Sequence, residues 1–309
     1  MVTRDIYNEQ VQLLVRVLPH VTEEKVFALK GGTAINLFVR DLPRLSVDID
    51  LTYLPIEDYA ASVAGIDAAL ERMSARIAEK IAGSKINVQR SDAGHIERVH
   101  VQSGRVGIKI EVTPVLRGVV YDPATMSVSA KVEETYGYAD AQVVSLADLY
   151  AGKLVAALDR QHPRDLYDVR LLLAEDGISD ELRRAFIAYA LQSRKPLNVI
   201  LAPPRRDLAP KYAQEFEGMT VETISLQDLE ATREAMIETV IGGMPDAHRQ
   251  FLLSFKRGEP DWNLLGLPHV AQLPAVRFRR EKLAALSDET RADQLAKLEA
   301  VLLGEGAHG

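Results

Sequence analysis

Apolar residues recur along the first third of the chain with two different periods, and each predicts a different kind of element. Residues 6–17 carry them at helical spacing. Residues 26–29 form a short apolar run stopped by Gly31-Gly32, which reads as a buried strand entering a turn. Thr33 is the expected N-cap of a short helix reaching Phe38. Over residues 44–53 the pattern switches to alternation: Val47, Ile49 and Leu51 share one strand face, and Asp48, Asp50 and Thr52 the other. Residues 57–82, rich in Ala, Ile, Leu, Glu and Arg, predict a long helix. Three β-like runs follow, at 85–89, 98–102 and 106–112. Strand, helix, strand, helix and then several strands predict an α/β (α+β) domain with a mixed sheet and flanking helices. From Ser145 onward nearly everything reads as helix, broken near Pro196, Pro203-Pro204, Pro245 and Pro260. The expected boundary lies at about residue 140, giving a sheet domain over 1–140 and a mostly helical lobe over 141–309.

Composition leaves that picture intact and removes several chemistries. A chain of 309 residues is long enough for two domains with separate cores. The net charge of −7 argues against a general nucleic-acid coating protein but leaves room for a local basic patch. With no cysteine, disulfides, thiolate zinc sites and cysteine nucleophiles are excluded. His100, His162 and His269 lack ligand spacing, and neither Gly-x-x-x-x-Gly-Lys-Ser/Thr nor Gly-x-Gly-x-x-Gly occurs. The amino terminus lacks the apolar core of a secretory signal, and no run approaches the roughly 18 apolar residues of a membrane span. The expectation is a cytoplasmic protein with no membrane partner.

The chemistry gathers first around Ser46-Val47-Asp48-Ile49-Asp50-Leu51. Carboxylates two apart on a strand point to the same side and repel unless a cation or proton neutralises them. Hard oxygen ligands suit Mg²⁺, which is held by one or two carboxylates plus substrate phosphates. A solvated outer strand face is the alternative. Lys30-Gly31-Gly32-Thr33-Ala34, between a strand and a helix, lets backbone approach a phosphate, or is simply a turn. In Ile108-Lys109-Ile110-Glu111-Val112, alternation puts Glu111 opposite the core, where it is either solvent-facing or the third acid of a site with Asp48 and Asp50. Two metal ions about 4 Å apart in such a site can stabilise the attacking and leaving oxygens of a phosphoryl displacement.

A second group lies downstream. Lys153 falls within an apolar helical stripe of Leu146, Leu149, Tyr150, Leu154 and Ala157, where a lysine either snorkels to the surface or points its ammonium into a cleft. Pro163 suits a helix start, and Asp165 in the first turn complements the helix dipole without any chemistry. Asp168, one turn on, is placed to pair with Arg164 or to extend an acidic site.

Lys30-Gly31-Gly32-Thr33, followed by Arg44-x-Ser46-x-Asp48-x-Asp50-Leu51, resembles the signature of the nucleotidyltransferase superfamily related to DNA polymerase β. Together with Ala151-Gly152-Lys153 and Arg164-Asp165-Leu166-Tyr167-Asp168, it resembles more narrowly the AbiEii/AbiGii-type toxin branch, which includes the MenT toxins. The resemblance runs from about Lys30 to Leu173. It implies a mixed-sheet catalytic domain and a helical lobe contributing to the nucleotide cleft and acceptor binding. It implies that Gly31, Gly32, Thr33 and Ser46 hold the nucleotide, that Asp48 and Asp50 hold Mg²⁺, and that Glu111 stands where the superfamily's third carboxylate does. Lys153 is implied to bind the phosphates of the NTP, with Asp165 first and Asp168 second as base or polar support.

The acceptor is less directly written. Arg183, Arg184, Arg194, Lys195, Arg205, Arg206 and Lys211 make a basic stretch with one acid, Asp207, and Arg277-Phe278-Arg279-Arg280 forms a shorter one. Either is a track for RNA phosphates or a solvated helix face. The resemblance implies an RNA acceptor, tRNA at its 3′ end, a block of translation, a role of the phage-defence type, and a cognate antitoxin encoded alongside. Two other readings stand beside it. One is the same chemistry on a protein side chain or small molecule; the other is a non-catalytic nucleotide-binding or antitoxin-like module, against which intact Asp48 and Asp50 argue.

Overall fold

Val99 and Val101 on one strand face Ile110 and Ile108 on the next, and all four are buried, so the first core forms on this side of the sheet. The computed structural model describes residues 4–303. By compactness the chain divides into two units: residues through Ser145 together with Met219–Glu222, and Leu146–Gly218 with the chain from Thr223 onward.

The first unit begins with α1 (Arg4–Thr22), β1 (Phe27–Lys30) and α2 (Gly31–Ala34), which runs on as a π-helical turn over Ile35–Val39. Then come β2 (Asp48–Tyr53), α3 (Tyr59–Lys80), β3 (Ser84–Arg90), β4 (Ile96–Ser103) and β5 (Val106–Val112). β6 (Ala124–Ser127), α4 (Ala130–Tyr136) and β7 (Asp140–Val143) complete it. The seven strands form one mixed sheet in the order β3-β4-β5-β2-β1-β7-β6. β1 pairs antiparallel with β2 and parallel with β7, while β2 pairs parallel with β5. α1 packs on β5 and β7, α3 packs on β3 and β4, and the two helices touch, so they cover the same apolar face. Alternation therefore turns Asp48, Asp50 and Glu111 away from that core.

Three local expectations change. The strand expected from Arg44 begins only at Asp48, because residues 43–45 bond to a different partner. Leu45 N donates to Met219 O at 2.9 Å, Val221 N donates to Pro43 O at 2.9 Å, and Arg44 bridges Thr220. Thr33 is not an N-cap; the helix opens at Gly31, with Lys30 at the cap position, and Thr33 is fully buried inside it. β6, α4 and β7 were not foreseen.

The second unit is helical: α5 (Leu146–Arg160), α6 (Pro163–Glu175), α7 (Asp180–Gln192), α8 (Leu197–Leu201) and α9 (Ala209–Glu215). α10 (Leu226–Ile237), α11 (Asp246–Arg257), α12 (Trp262–Leu265), α13 (Pro274–Ala284) and α14 (Asp288–Leu303) follow. α5 is the hub: its face of Ala151, Leu154, Ala157 and Leu158 is buried, and it packs on α6 and α7. Phe251, Phe255 and Trp262 cluster where α11 meets α12.

Arg279 of α13 is occupied within this unit. Its guanidinium donates to the carbonyls of Ser193 at 2.6 Å, Lys195 at 2.8 Å and Leu191 at 3.1 Å, closing the carboxyl end of α7. Burial pushes it down to about 10. Arg279→Ala leaves those carbonyls unmet and is expected to cost about 2–3 kcal/mol in denaturant titration, whereas Arg277→Ala should stay within about 0.5 kcal/mol. Equal losses for both variants would contradict this division.

Candidate active site

β2 brings its two aspartates into a row of charges that crosses the sheet. Lys30 of β1 stands opposite Asp50, Asp50 beside Glu111 of β5, and Glu111 opposite Arg98 of β4. Partners in register share a face, so the row reads cation, acid, acid, cation. Two like charges side by side are unfavourable, and the flanking cations offset the cost. Arg98 Nε donates to Glu111 Oε1, so one oxygen of this third candidate acid is already engaged by a cation. Burial pushes the Lys30 ammonium down, and the Asp50 carboxylate opposes the shift. Asp48 lies one step along the same face, beside Lys109. Among the described residues no three acids or histidines converge as a preformed metal cage. The donor set that fits a hard divalent cation is the oxygen pair of Asp48 and Asp50, with phosphates or water left to complete an octahedron.

The glycines serve this row. Gly31 has φ +78°, and a Cβ there would lie 2.4 Å from Asp50 Oδ2. A Cβ at Gly32 would lie 2.6 Å from Arg44 Nη2 and 2.8 Å from Ser46 Oγ. The expected reason for the pair was close approach to a phosphate; the structure shows a nearer one, since their missing side chains let Asp50, Arg44 and Ser46 reach the turn. Thr33 Oγ1 and Ser46 Oγ are 3.2 Å apart, so these two hydroxyls sit together. Gly31→Ala should cost about 1–2 kcal/mol for the left-handed backbone and displace Asp50, lowering turnover about 10²-fold. Gly83 is the control: its φ is +74° with nothing within 4 Å, so Gly83→Ala should show the strain without the loss of turnover. Matching activities for the two variants would refute the role given to Gly31.

Three supporting residues were missed as site residues. Arg44, although it stands in the motif, is buried against Gly32 and donates through Nη1 to Leu45 O at 2.8 Å. Asn36, fully buried, donates to Gly32 O at 2.7 Å and accepts from Arg44 N at 3.3 Å, tying the two segments together. Tyr7 of α1 donates to Arg44 O and accepts from Ser46 N, both at 3.4 Å, and burial raises its hydroxyl to about 12. Only a helix residue spaced for burial yet carrying a hydroxyl hinted at Tyr7.

In the helical unit, Lys153, Asp165 and Asp168 do come together. Lys153 Nζ lies 2.8 Å from Asp165 Oδ1 and 2.9 Å from Asp168 Oδ2, with the three residues 8%, 2% and 0% exposed. The lysine does not snorkel, and Asp168 turns to Lys153. Arg160 adds a second cation, with Nη2 3.0 Å from Asp165 Oδ1. Burial alone would raise the Asp165 carboxyl; Lys153 and Arg160 outweigh it and hold the group well below the carboxylate range. His162 caps α6 through Nδ1, accepting from Arg164 N at 3.2 Å, and meets Glu215 through Nε2 at 2.8 Å. Gln161, buried at a left-handed φ of +47°, bonds Pro204 O at 2.8 Å and Arg206 N at 3.0 Å, fixing the α5–α6 joint.

Much of the basic stretch is occupied. Arg183 donates to Val240 O at 2.8 Å, Arg184 pairs with Asp180 at 2.7 Å, Lys195 with Asp159, and Arg205 with Glu234 at 2.7 Å. Arg194 and Arg206 are exposed, with no side-chain partner among the described residues.

A family model described as the nucleotidyl transferase AbiEii toxin of type IV toxin–antitoxin systems matches residues 12–278. None of the curated proteins matches the sequence. Among solved structures, the nucleotidyltransferase toxin MenT4 from Mycobacterium tuberculosis H37Rv superposes with a TM-score of 0.56 at 16% identity. The match covers 94% of this chain and 93% of that one, a likeness of fold.

Proposed function

We propose, from the premise that this chain belongs to the AbiEii nucleotidyl transferase toxin family of type IV toxin–antitoxin systems, that it moves a nucleoside monophosphate from an NTP to an RNA acceptor, with Mg²⁺ as cofactor. Family membership makes it a nucleotidyltransferase with an NTP substrate and an antitoxin counterpart; the metal, the acceptor and the residue roles are our reading. The observation that carries it is the row Lys30–Asp50–Glu111–Arg98, seated on the Gly31-Gly32 turn with Asp48 one step away.

Asp48 and Asp50 would hold the metal, with Glu111, paired to Arg98, as the third candidate acid. When bound, the cation supplies charge neutralisation on the triphosphate and polarises the phosphorus under attack. Gly31 and Gly32 would hold the phosphate chain against the turn, with the buried Thr33 hydroxyl supporting Ser46 beside it. Lys153, buried between Asp165 and Asp168, would act as a phosphate cation only by leaving those carboxylates. A carboxylate held as acidic as Asp165 is a poor proton acceptor near neutral pH, so its electrostatics favour polar support, orienting Lys153. Attack by an RNA hydroxyl forms the new phosphodiester and expels pyrophosphate; on tRNA this would block translation. The proposed location is the cytoplasm; among the described residues no helix is long and apolar enough to cross a membrane.

The test is incubation with each α-labelled NTP, Mg²⁺ and total tRNA. Label should enter RNA, and it should vanish with EDTA or in Asp48→Ala. Label in protein would overturn the RNA acceptor, and no retained label in any acceptor would favour the non-catalytic module.

A further inference from the structure

The helical unit contains a cleft of about 470 Å³ between the end of α11, α13 and the start of α14. Its floor includes Phe255 and Leu283, both buried. Around it stand Arg257, Arg277, Arg280 and Arg291, opposed by only two carboxylates, Glu259 and Glu281. That excess of cations is unexpected in a chain of net charge −7.

These arginines differ from the others in what they lack. Arg277 and Arg280, one helical turn apart on α13, have no side-chain partner among the described residues. Arg291 bonds Leu286 O at 3.4 Å through Nη2, but its Nε is buried without a partner. Arg257 holds Glu299 at 3.2 Å. The tract Arg277-Phe278-Arg279-Arg280 thus divides its work: Arg279 closes α7, while its neighbours keep their donors for something else. A buried, unmet guanidinium donor is costly, and an anion in the cleft would satisfy it.

We infer that this cleft docks the phosphate backbone of an RNA, seating about one nucleotide, with a base against the apolar floor and phosphates among the guanidinia. The inference rests on the RNA-acceptor reading and adds where the RNA is gripped. The cationic side chains are all arginine, whose planar fork matches phosphate oxygens two at a time. The volume falls in the range of small-ligand clefts. Phe278, 58% exposed in the same tract but outside the lining of the cleft, carries the Lys282 ammonium 5.3 Å from its ring centroid. Glu259 and Glu281 would repel an acidic protein segment and a phosphate backbone alike; the buried apolar floor of Phe255 and Leu283, which a base would cover, is what favours a nucleotide.

The full chain is titrated against 5′-labelled total tRNA by fluorescence anisotropy between about 50 and 200 mM salt. The double variant Arg277→Gln, Arg280→Gln should bind about tenfold or more weakly, and the slope of log K against log salt should fall by about two. Its thermal midpoint should match wild type, since neither side chain holds the fold. Wild type that binds no RNA, or a variant with unchanged affinity and slope, overturns the inference. Arginine-dependent binding of polyglutamate with arginine-independent binding of RNA would assign the cleft to a protein partner and also overturn it. RNA binding that depends on both arginines, but without transfer of label to RNA, would sustain the docking site and remove the acceptor reading.

Discussion

Asp50→Asn is expected to lower nucleotidyl transfer by roughly 10³-fold or more, corresponding to about 4 kcal/mol of lost transition-state stabilisation. The amide keeps the size of the side chain and removes its charge. Asp50 lies in register between Lys30 and Glu111, so the substitution ends a like-charge contact and also removes the carboxylate that supports the buried Lys30 ammonium. The two effects oppose each other, so stability should change little while activity collapses. A loss of activity without a matching loss of stability marks a residue kept for chemistry. Pyrophosphate release and a thermal melt on the same preparation read both. Transfer within tenfold of wild type, or a loss of activity matched by unfolding, would remove Asp50 from the metal pair.

Lys153→Met should destabilise the helical unit by about 3–5 kcal/mol, because the ammonium that Asp165 and Asp168 both contact disappears while the carboxylates stay buried. Adding Asp165→Asn and Asp168→Asn should recover most of the loss, since a neutral cluster has no desolvated charge left to balance. The dependence on pH has a definite sign. In wild type the Asp165 carboxyl is depressed, so its contribution is full above the unfolded value of about 3.9 and is lost as pH falls toward the folded one. Without Lys153, burial gains weight and the folded carboxyl rises, so the variant is penalised most at neutral pH and relieved by protonation. The stability gap should narrow as pH is lowered from about 7 toward 4. A constant gap across that window would show that packing, and not charge, is what Lys153 supplies.

Elements with strong periodicity were legible in the sequence: the strand bearing Asp48 and Asp50, the long helix that became α3, and the three antiparallel strands after it. β7, Asp140–Val143, was not, because a four-residue strand containing Asp and Gln has too few apolar positions to show a period. Its place beside β1 is set by tertiary pairing through Leu29 and Val143. Within the candidate site, alternation put Glu111 on the polar face, yet nothing local revealed that Arg98 would hold it, since that contact depends on the register of β4 against β5. The link from Lys153 to Asp168 depends likewise on how α5 and α6 pack, whereas the sequence offered Arg164, on the same helix, or a wider acidic site as alternatives for Asp168. Arginines are the hardest to read in advance. Arg279 and Arg280 are neighbours of the same type, one spent on carbonyls of α7 and the other unengaged.

Met219–Glu222 is the last part of the sheet unit to be made, far along the chain from the strands it joins. A ribosome delivers the amino end first. A nascent chain that stops before residue 219 already carries Asp48, Asp50 and the glycine turn, yet it lacks the two backbone bonds that Met219 and Val221 make to Leu45 and Pro43 on either side of Arg44. That arginine is the one packed against Gly32. Prematurely terminated fragments therefore carry the candidate carboxylates without the stitch beside Arg44, and the sheet unit is complete only once 222 of the 309 residues have been translated.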